Sequence, residues 1–295
     1  MSNKIIILQH TPLVTPGYFT QLMEEDLVET KIIRLDKGEK IPSNLNAFDG
    51  MLCLGGPMDT WMEDKYPWMI EEKNKITDFV LNKQKPYLGI CLGCQFLGEI
   101  LGGKVIKSNP PEIGVLNINI LENKKKDQLF HNFDSKIKAL QWHSYEVNEL
   151  DNSNVTILGS SEITKFQIFK YKSHAYGIQF HIEIKNDTVS QWGCVPEYEN
   201  ALNETLGAGA LKKFDEDAQK NMLSMNQNAE NLYYNFKSLL QFLKGNKILR
   251  ILGEISMDSC VVDLSNLKNI NVGDEVILFG KARSIFNLCS DLNII

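Results

Sequence analysis

Long apolar runs and an excess of basic residues are both missing from this sequence. No stretch of the 295 residues approaches the about 20 consecutive apolar residues that a membrane-spanning helix needs. The apolar run nearest the N-terminus, Ile5 to Leu8, is too short for the core of a signal peptide. Acidic residues outnumber basic ones by 37 to 31, whereas nucleic acids and anionic membranes select basic surfaces. We therefore expect neither a membrane nor a nucleic-acid partner.

Cysteine is sparse as well. The six cysteines are scattered along the chain, unlike the dense pattern of small disulfide-stabilised secreted domains. This spacing favours free thiols in a reducing compartment, and we expect a cytoplasmic protein. No second Cys or His pair lies near Cys91 and Cys94 to complete a metal site. The sequence predicts neither a metal nor a cofactor.

Strand and helix signals alternate along the first half of the chain. Short apolar runs such as Lys4 to Leu8 and Tyr87 to Ile90 are predicted strands, and Gly17 to Glu29 is a predicted amphipathic helix. This alternation is typical of an α/β fold with a central, mostly parallel sheet and helices on both faces. Between Val115 and Phe180 strand signals dominate and predict an antiparallel extension of the sheet. Residues Thr188 to Leu243 are predicted to be helical.

One segment, Tyr87 to Gln95, carries the most specific chemical pattern. A strand-like run leads into Gly-Ile-Cys-Leu-Gly, centred on Cys91, and a helix-like run follows. This is the layout of a nucleophile elbow, in which a reactive side chain sits on a tight strand-to-helix turn. Gly89 and Gly93 leave room in the crowded turn, and a helix N-terminus favours the thiolate over the thiol. Cys91 is therefore predicted to be a nucleophile that attacks carbonyl groups.

Three other interpretations of this segment stay open. Cys91 and Cys94 are spaced like a thioredoxin-type redox pair or like half of a metal site. A redox pair, however, would need neither the flanking glycines nor Gln95. A buried strand-turn-helix is the third alternative, because free cysteine is often a core residue.

A cysteine nucleophile needs a base and a group that orients that base. Among the five histidines, His181 ends the strand-like run Tyr176 to Phe180, whose carboxyl end should open on the same crevice as Cys91. Glu183, two residues further on, can accept a hydrogen bond from the imidazole and fix its tautomer. Alone, His181 would be interpreted as an ordinary core or surface histidine. Together with Cys91 it predicts a Cys-His-Glu triad.

Backbone donors for a developing oxyanion are expected from two turns. Gly55 and Gly56 follow the strand-like run Met51 to Leu54, and glycines let the backbone approach a ligand closely. The N–H groups of Gly56 and Leu92 are predicted to form an oxyanion hole, where losing one donor typically costs about 2.7–4 kcal/mol of transition-state stabilisation. Seen alone, the two glycines are equally typical of a simple turn.

Three motifs in one order make the chain similar to a known family. They are Leu-Gly-Gly-Pro ending at Pro57, Gly-Ile-Cys-Leu-Gly-X-Gln ending at Gln95, and Gly-X-Gln-Phe-His-X-Glu ending at Glu183. Over roughly its first two thirds the chain resembles class I, triad-type glutamine amidotransferases, close to the stand-alone group similar to the amidotransferase part of GMP synthase. The resemblance implies a flavodoxin-like amidotransferase fold.

The same resemblance implies a reaction and a set of roles. Cys91 would attack the γ-carbonyl of glutamine or of another γ-glutamyl small molecule, with His181 as the general base and Glu183 as its orienter. The positions implied to hold the glutamine are Gln95, His143, Ser144 and Tyr145, besides the backbone at Gly55. His143 is equally typical of a structural histidine at a strand end.

Two further expectations follow from the resemblance. In many relatives the released ammonia passes to a synthetase, either a domain or a separate chain. Because no glycine-rich phosphate-binding loop follows the motifs, we expect any such acceptor to be another chain. Ile182 stands where the family usually has proline, between the catalytic histidine and glutamate, and we expect this to alter rigidity rather than function.

The C-terminal residues have a different character. Strand signals return after Gly245, and we predict two domains, an amidotransferase-like domain at 1–245 and a β unit at 246–295. Arg250 to Asp258 and Val272 to Val276 resemble the C-terminal domain of alanine racemases. That family's tyrosine-bearing loop and pyridoxal phosphate barrel have no counterpart here, so racemase activity is not expected. A β unit this small is marginal alone, so it should pack on the first domain or on a second copy in a homodimer.

Three hypotheses about function remain open. The first is a glutaminase that supplies ammonia to a synthetase partner. The second is a self-sufficient γ-glutamyl peptidase, in which Trp61, Tyr66 and Trp68 line the site unless they merely pack a loop. The third is a non-catalytic scaffold, which predicts that a Cys91→Ser variant behaves like the parent protein.

Overall fold

Five parallel strands form one half of a nine-stranded sheet. In sheet order they are β2 (Glu29–Arg34), β1 (Lys4–Gln9), β3 (Gly50–Cys53), β4 (Tyr87–Ile90) and β9 (Ala175–Ile178). Strands β3, β4 and β9 are buried along their whole length. Short, continuously apolar runs suit this position, because a parallel sheet is covered on both faces.

The other half of the sheet is antiparallel, as the strand-rich segment predicts. Next to β9 come β8 (Ile168–Tyr171), β7 (Val155–Ser160), β5 (Lys104–Ile120) and, at the edge, β6 (Lys136–Asn148). Strands β5 and β6 are longer than the sequence indicates, because their pairing continues through Glu112 and Lys107, which face His143 and Tyr145. His143 therefore lies inside a strand and not at a strand end.

Helices cover both faces of the sheet. Alternate residues of β1 point to opposite faces, so Ile5 and Ile7 join one apolar cluster while Ile6 and Leu8 join the other. The predicted α/β fold with helices on both faces is confirmed. The helices are α1 (Tyr18–Glu25), α2 (Trp68–Thr77), α3 (Leu92–Ile100), α4 (Thr188–Trp192), α5 (Pro196–Leu206) and α6 (Ala210–Leu243).

One helix is shorter than predicted. Helix α1 ends at Glu25 and not at Glu29, because Glu29 already pairs with Lys4 at the start of β2. Among the helices of the described residues, none combines the length and the apolar character that a bilayer crossing requires.

The computed structural model describes residues 3–122, 127–243, 251–252 and 261–262. The chain divides into two compact units, Met1–Leu240 and Gln241–Ile295, and the nine-stranded sheet belongs to the first. In the second unit, strands β10 (Ile251–Leu252) and β11 (Val261–Val262) form an antiparallel pair. The predicted boundary at Gly245 and the rest of the racemase-like segment lie outside the described residues.

The fold brings four loops to one edge of the sheet. Strands β1, β3, β4 and β9 are parallel neighbours, so their carboxyl ends meet there. His10 follows β1, Gly55 lies just beyond β3, Cys91 follows β4 and His181 lies three residues beyond β9. The side chains predicted to be reactive therefore converge on this edge.

Candidate active site

Cys91 occupies a strained turn between β4 and α3. Its φ angle of 53° lies in the left-handed region, and it caps the N-terminus of α3. A Cβ added at Gly89 would overlap the carbonyl oxygen of Gly93, and one at Gly93 would overlap that of Cys53. The backbone N–H of Cys91 donates to the Ile178 oxygen over 2.8 Å. Glycine is therefore sterically required on both sides of Cys91, as the elbow pattern predicts. The backbone bond to Ile178 holds Cys91 in this turn.

His181 and Glu183 form a tight, buried pair. The distance from His181 Nδ1 to Glu183 Oε1 is 2.6 Å, and both side chains are almost fully removed from solvent. Burial opposes the charged imidazole, but the negative Glu183 and hydrogen bonds to Cys91 and Glu183 outweigh it and raise the pKa of His181 to about 10. The backbone of His181 is held in turn by Leu140 on β6, with hydrogen bonds of 2.8 and 2.9 Å. His181 is therefore bonded to the Glu183 carboxylate and lies beside Cys91.

The second oxygen of Glu183 has its own backbone donor. Ile182 N–H donates to Glu183 Oε2 over 3.0 Å. A proline at this position, which the related family usually has, could not supply that hydrogen bond because it lacks an N–H. The edge of the Trp192 ring also packs against His181, with ring centroids 4.7 Å apart. These contacts restrain the Glu183 carboxylate and the imidazole.

Gly55 lies next to both Cys91 and His181. A Cβ built at Gly55 would stand 3.4 Å from Cys91 Cβ and 3.2 Å from His181 Cε1. A Cβ built at Gly56 would stand 3.2 Å from Leu92 Cδ2. The turn after β3 is therefore adjacent both to the nucleophile elbow and to the imidazole.

Two backbone N–H groups in these adjacent turns have no hydrogen-bond acceptor among the described residues. Leu92 is the first residue of α3, so its N–H has no acceptor within the helix. Gly56 N–H has no acceptor among the described residues. Neither N–H is paired within the described part of the chain, as the predicted role of both groups as oxyanion donors requires.

Gln179 is a site residue that the sequence interpretation did not single out. Its Nε2 lies 3.6 Å from Cys91 Sγ, and its Oε1 accepts from Gln95 Nε2 over 3.3 Å. Gln95 Nε2 also donates to the Tyr145 carbonyl oxygen over 3.0 Å. The signal was present, because Gln179 lies inside the motif that ends at Glu183.

The remaining predicted substrate residues lie along β6. The Nδ1 of His143 bonds the Tyr145 oxygen over 2.9 Å, and its Nε2 lies 3.3 Å from Glu112 Oε2. The latter contact is an ion-pair distance without hydrogen-bond geometry. Tyr145 packs edge-on against the half-exposed Trp61, with centroids 4.7 Å apart. The structure thus brings Gln95 and Tyr145 together, while His143 pairs with Glu112.

A second group of cysteine, histidine and glutamate lies behind the Gly55 turn. His10, Cys53 and Glu72 are completely buried. Here the thiol contacts the carboxylate, with Cys53 Sγ 3.5 Å from Glu72 Oε1, rather than the imidazole. Burial and the negative Glu72 raise the pKa of Cys53 well above its ordinary value. Cys53 is therefore held as a thiol.

The motifs and the fold together identify the family. Residues 18–191 match the family model for class-I glutamine amidotransferases, and the chain belongs to that family. The resemblance inferred from the motifs is therefore confirmed. Residues 231–295 match the C-terminal domain of alanine racemase.

Individual relatives agree with this assignment. The chain is 33% identical over 175 residues to one subunit of the glutamine-hydrolysing GMP synthase of Sulfolobus acidocaldarius, which is 58% of this chain and 86% of that protein. It is 26% identical over 226 residues to the glutamine amidotransferase-like protein YfeJ of Salmonella typhimurium, covering 76% of this chain and 93% of that one. These relatives place the chain among class I amidotransferases of the GMP synthase type.

Solved structures share the fold. A glutamine amidotransferase of Thermotoga maritima superposes with a TM-score of 0.71 at 24% identity, over 82% of this chain and 99% of that one. A second, from Methylobacillus flagellatus, has a TM-score of 0.70 at 22% identity, over 82% of this chain and 96% of that one. The flavodoxin-like amidotransferase fold is thus the fold of this chain.

Proposed function

We propose that the chain hydrolyses the γ-amide of glutamine through a γ-glutamyl thioester on Cys91 and supplies the ammonia to a synthetase partner. The observation that carries this proposal is that Cys91 and His181 both lie against Gly55, while the imidazole is itself bonded to Glu183 over 2.6 Å. Membership of the class I amidotransferases supports the same substrate class.

The proposed reaction has two halves. In the first, Cys91 Sγ forms a bond to the γ-carbon of glutamine, and His181 delivers its proton to the departing nitrogen, so ammonia leaves. In the second, water attacks the thioester while His181 accepts a water proton, and glutamate leaves as Cys91 is restored. Glu183 holds the imidazole in one orientation through both halves and stabilises its positive charge.

Backbone donors stabilise the tetrahedral intermediates of both halves. Negative charge develops on the γ-oxygen when sulfur or water adds to the carbonyl carbon. We assign Gly56 N–H and Leu92 N–H as the donors, because both are unpaired within the described protein and their turns are adjacent. Gln95, Tyr145 and the backbone at Gly55 are proposed to hold the substrate, with Ser144 beside them on β6. His143 is assigned there through its bond to the Tyr145 carbonyl.

The partner is proposed from the relatives. Several of them are single subunits of a glutamine-hydrolysing GMP synthase, and an enzyme built from subunits requires a second chain to be complete. We propose by analogy that a synthetase chain receives the ammonia released here. We also propose that residues 1–245 perform the hydrolysis and that residues 246–295 are a separate racemase-like unit. Two separate family matches, at 18–191 and 231–295, support a division into two units, and the second match begins inside α6.

A γ-glutamyl peptidase is the second candidate function. Tyr66 and Trp68 pack against each other, with centroids 5.6 Å apart, and Trp68 stacks on His10. These two aromatics therefore pack a loop. Trp61 is 50% exposed beside Tyr145, however, and offers an apolar surface to a substrate larger than glutamine.

A substrate panel separates the two functions. Purified full-length chain is assayed for glutamate release from glutamine and from a set of γ-glutamyl dipeptides. We expect glutamine to have the higher kcat/KM, and a synthetase partner to stimulate it further. A higher kcat/KM for a dipeptide would assign the peptidase function instead, and no release from any of them would contradict both.

The pH dependence should follow His181. Its pKa of about 10 means that the imidazole keeps its proton throughout the neutral range, so an imidazolium beside the sulfur is available to protonate the leaving nitrogen. We expect kcat/KM for glutamine to hold through mildly alkaline solution and to fall only as the pH rises through about 10.

The raised pKa of His181 also affects stability. It stabilises the fold fully below pH 6.5, and this contribution disappears as the pH rises through about 10. A thermal melt at each pH distinguishes loss of activity from unfolding, and an alkaline limb near pH 6.5 would contradict the assignment.

A further inference from the structure

The buried His10 connects the Gly55 turn to helix α2. His10 follows β1 directly and has no solvent-exposed surface. Its Nδ1 lies 2.9 Å from the Gly55 carbonyl oxygen and its Nε2 lies 2.8 Å from Glu72 Oε1. The ring is stacked on Trp68 and meets the Phe96 ring edge-on. The imidazole therefore has one orientation, with a partner at each nitrogen.

The two partners decide which nitrogens carry protons. A carbonyl oxygen can only accept, so Nδ1 is the donor to Gly55. Burial opposes a charged His10, but the negative Glu72 and the hydrogen bonds to Glu72 and Gly55 outweigh it and raise the pKa of His10. Glu72 Oε1, which accepts from the Cys53 thiol, is an acceptor for Nε2 as well. With an acceptor at each nitrogen, both nitrogens donate, and the Gly55 oxygen accepts from an imidazolium. Hydrogen bonds from charged donors are shorter and stronger than neutral ones.

The Gly55 oxygen belongs to the same peptide group as Gly56 N–H. A trans peptide is planar, with its C=O and N–H pointing in opposite directions. A bond that fixes the oxygen toward His10 therefore fixes the N–H on the opposite side. A strong donor at the oxygen also polarises the amide and makes its N–H a better donor, because linked hydrogen bonds strengthen one another.

We propose that His10 and Glu72 are positioning residues that orient and polarise the Gly55–Gly56 peptide, so that Gly56 N–H stabilises the oxyanion formed during acyl transfer to Cys91. The inference rests on the proposed function, since it assigns a role in that reaction. Neither residue touches the substrate. The absence of any side chain on Gly56 lets the peptide lie close to the imidazole, because a Cβ there would stand 3.1 Å from His10 Cβ.

The same cluster also has the composition of a metal site. One ligand-type atom from each of His10, Cys53 and Glu72 lies within 4.8 Å of the others. A metal at Nε2 would have to displace the 2.8 Å bond to Glu72 and would require Cys53 to lose a proton that its surroundings retain. Both nitrogens of His10 and one Glu72 oxygen already have partners, whereas Glu72 Oε2 has none among the described residues. We assign the cluster to positioning because a metal would have to break these bonds.

A matched pair of substitutions tests the role of the Nδ1 bond. In His10→Asn the side-chain amide nitrogen can take the place of Nδ1 and still donate to Gly55, whereas in His10→Gln it takes the place of Nε2 and leaves the Gly55 oxygen unpaired. We expect His10→Gln to lower kcat for glutamine about 10²-fold with little change in KM, as loss of an oxyanion donor does. His10→Asn should stay within about 10-fold of the parent, because it keeps a neutral donor. Glu72→Gln keeps the His10 imidazole but removes the negative charge of its partner. Its kcat should lie between those of His10→Gln and His10→Asn.

A second readout separates this role from a damaged nucleophile or fold. Alkylation of Cys91 by iodoacetamide is a displacement at a saturated carbon and forms no oxyanion, so its rate should be the same in the parent and in all three variants. Equal losses of kcat in His10→Asn and His10→Gln, alkylation that slows in parallel with kcat, or a stoichiometric metal in the purified parent would each overturn the proposal. A parent protein that releases no glutamate would instead contradict the proposed function itself. If His10→Gln does not fold, the kcat of Glu72→Gln still tests the proposal. A kcat equal to that of the parent would overturn it.

Discussion

A Cys91→Ser variant is expected to release glutamate from glutamine at least about 10³-fold more slowly than the parent. Cys91 is the residue at the elbow turn, and it lies beside His181. A serine hydroxyl keeps the shape of the side chain, but it is a far weaker nucleophile than a thiolate at neutral pH. Steady-state glutamate release by the purified variant measures the change.

Two other cysteine substitutions are the matched controls. Cys194 is exposed and Cys53 is buried behind the site, so Cys194→Ser should keep the parent rate, and Cys53→Ser should retain a rate far above that of Cys91→Ser. A Cys91→Ser variant with the parent rate would instead support the non-catalytic scaffold. A selective loss in Cys53→Ser would move the chemistry to the second cluster.

The second large effect is expected from Glu183→Gln. In the parent, both carboxylate oxygens accept hydrogen bonds, one from His181 Nδ1 and one from Ile182 N–H. A glutamine has one oxygen and one NH₂ group, so it must leave one donor unpaired or turn the imidazole into the wrong tautomer. By analogy with the loss of the orienting carboxylate in serine proteases, kcat should fall about 10³- to 10⁴-fold.

The control for this variant is an exposed glutamate. Glu204→Gln on α5 changes the same chemical group away from the site and should leave kcat unchanged. Removing one member of a buried pair also destabilises a fold, so both variants are assayed below their melting temperatures. A Glu183→Gln variant with the kcat of the parent would show that the carboxylate does not orient the base.

The sequence predicted the parts of the site that depend on local pattern. The elbow around Cys91 was predictable because Gly89 and Gly93 occupy a turn where a Cβ would overlap a backbone oxygen. The proximity of His181 was predictable because residues after neighbouring parallel strands meet at one edge of the sheet. The first prediction needs only the steric exclusion of a Cβ, and the second needs only the order of the strands in the sheet.

The rest of the site depends on contacts that no local pattern encodes. Glu72 reaches His10 from a helix 62 residues further along the chain, so nothing in its own segment distinguishes it from a surface glutamate. The position of His143 also required the structure, because strand β6 continues past it through pairing with the polar segment around Glu112. The bond from Ile182 N–H to Glu183 depends on a side-chain rotamer, and the sequence indicates only that an N–H is present.

The proposed reaction requires that the γ-glutamyl group be carried on Cys91. Acid quenching of the chain during turnover with glutamine, followed by peptide mapping by mass spectrometry, tests this directly. We expect a γ-glutamyl adduct on Cys91 that hydroxylamine removes and that is missing from Cys91→Ser. An adduct on Cys53, Cys94 or Cys194, or glutamate formation by the Cys91→Ser variant at the parent rate, would contradict it.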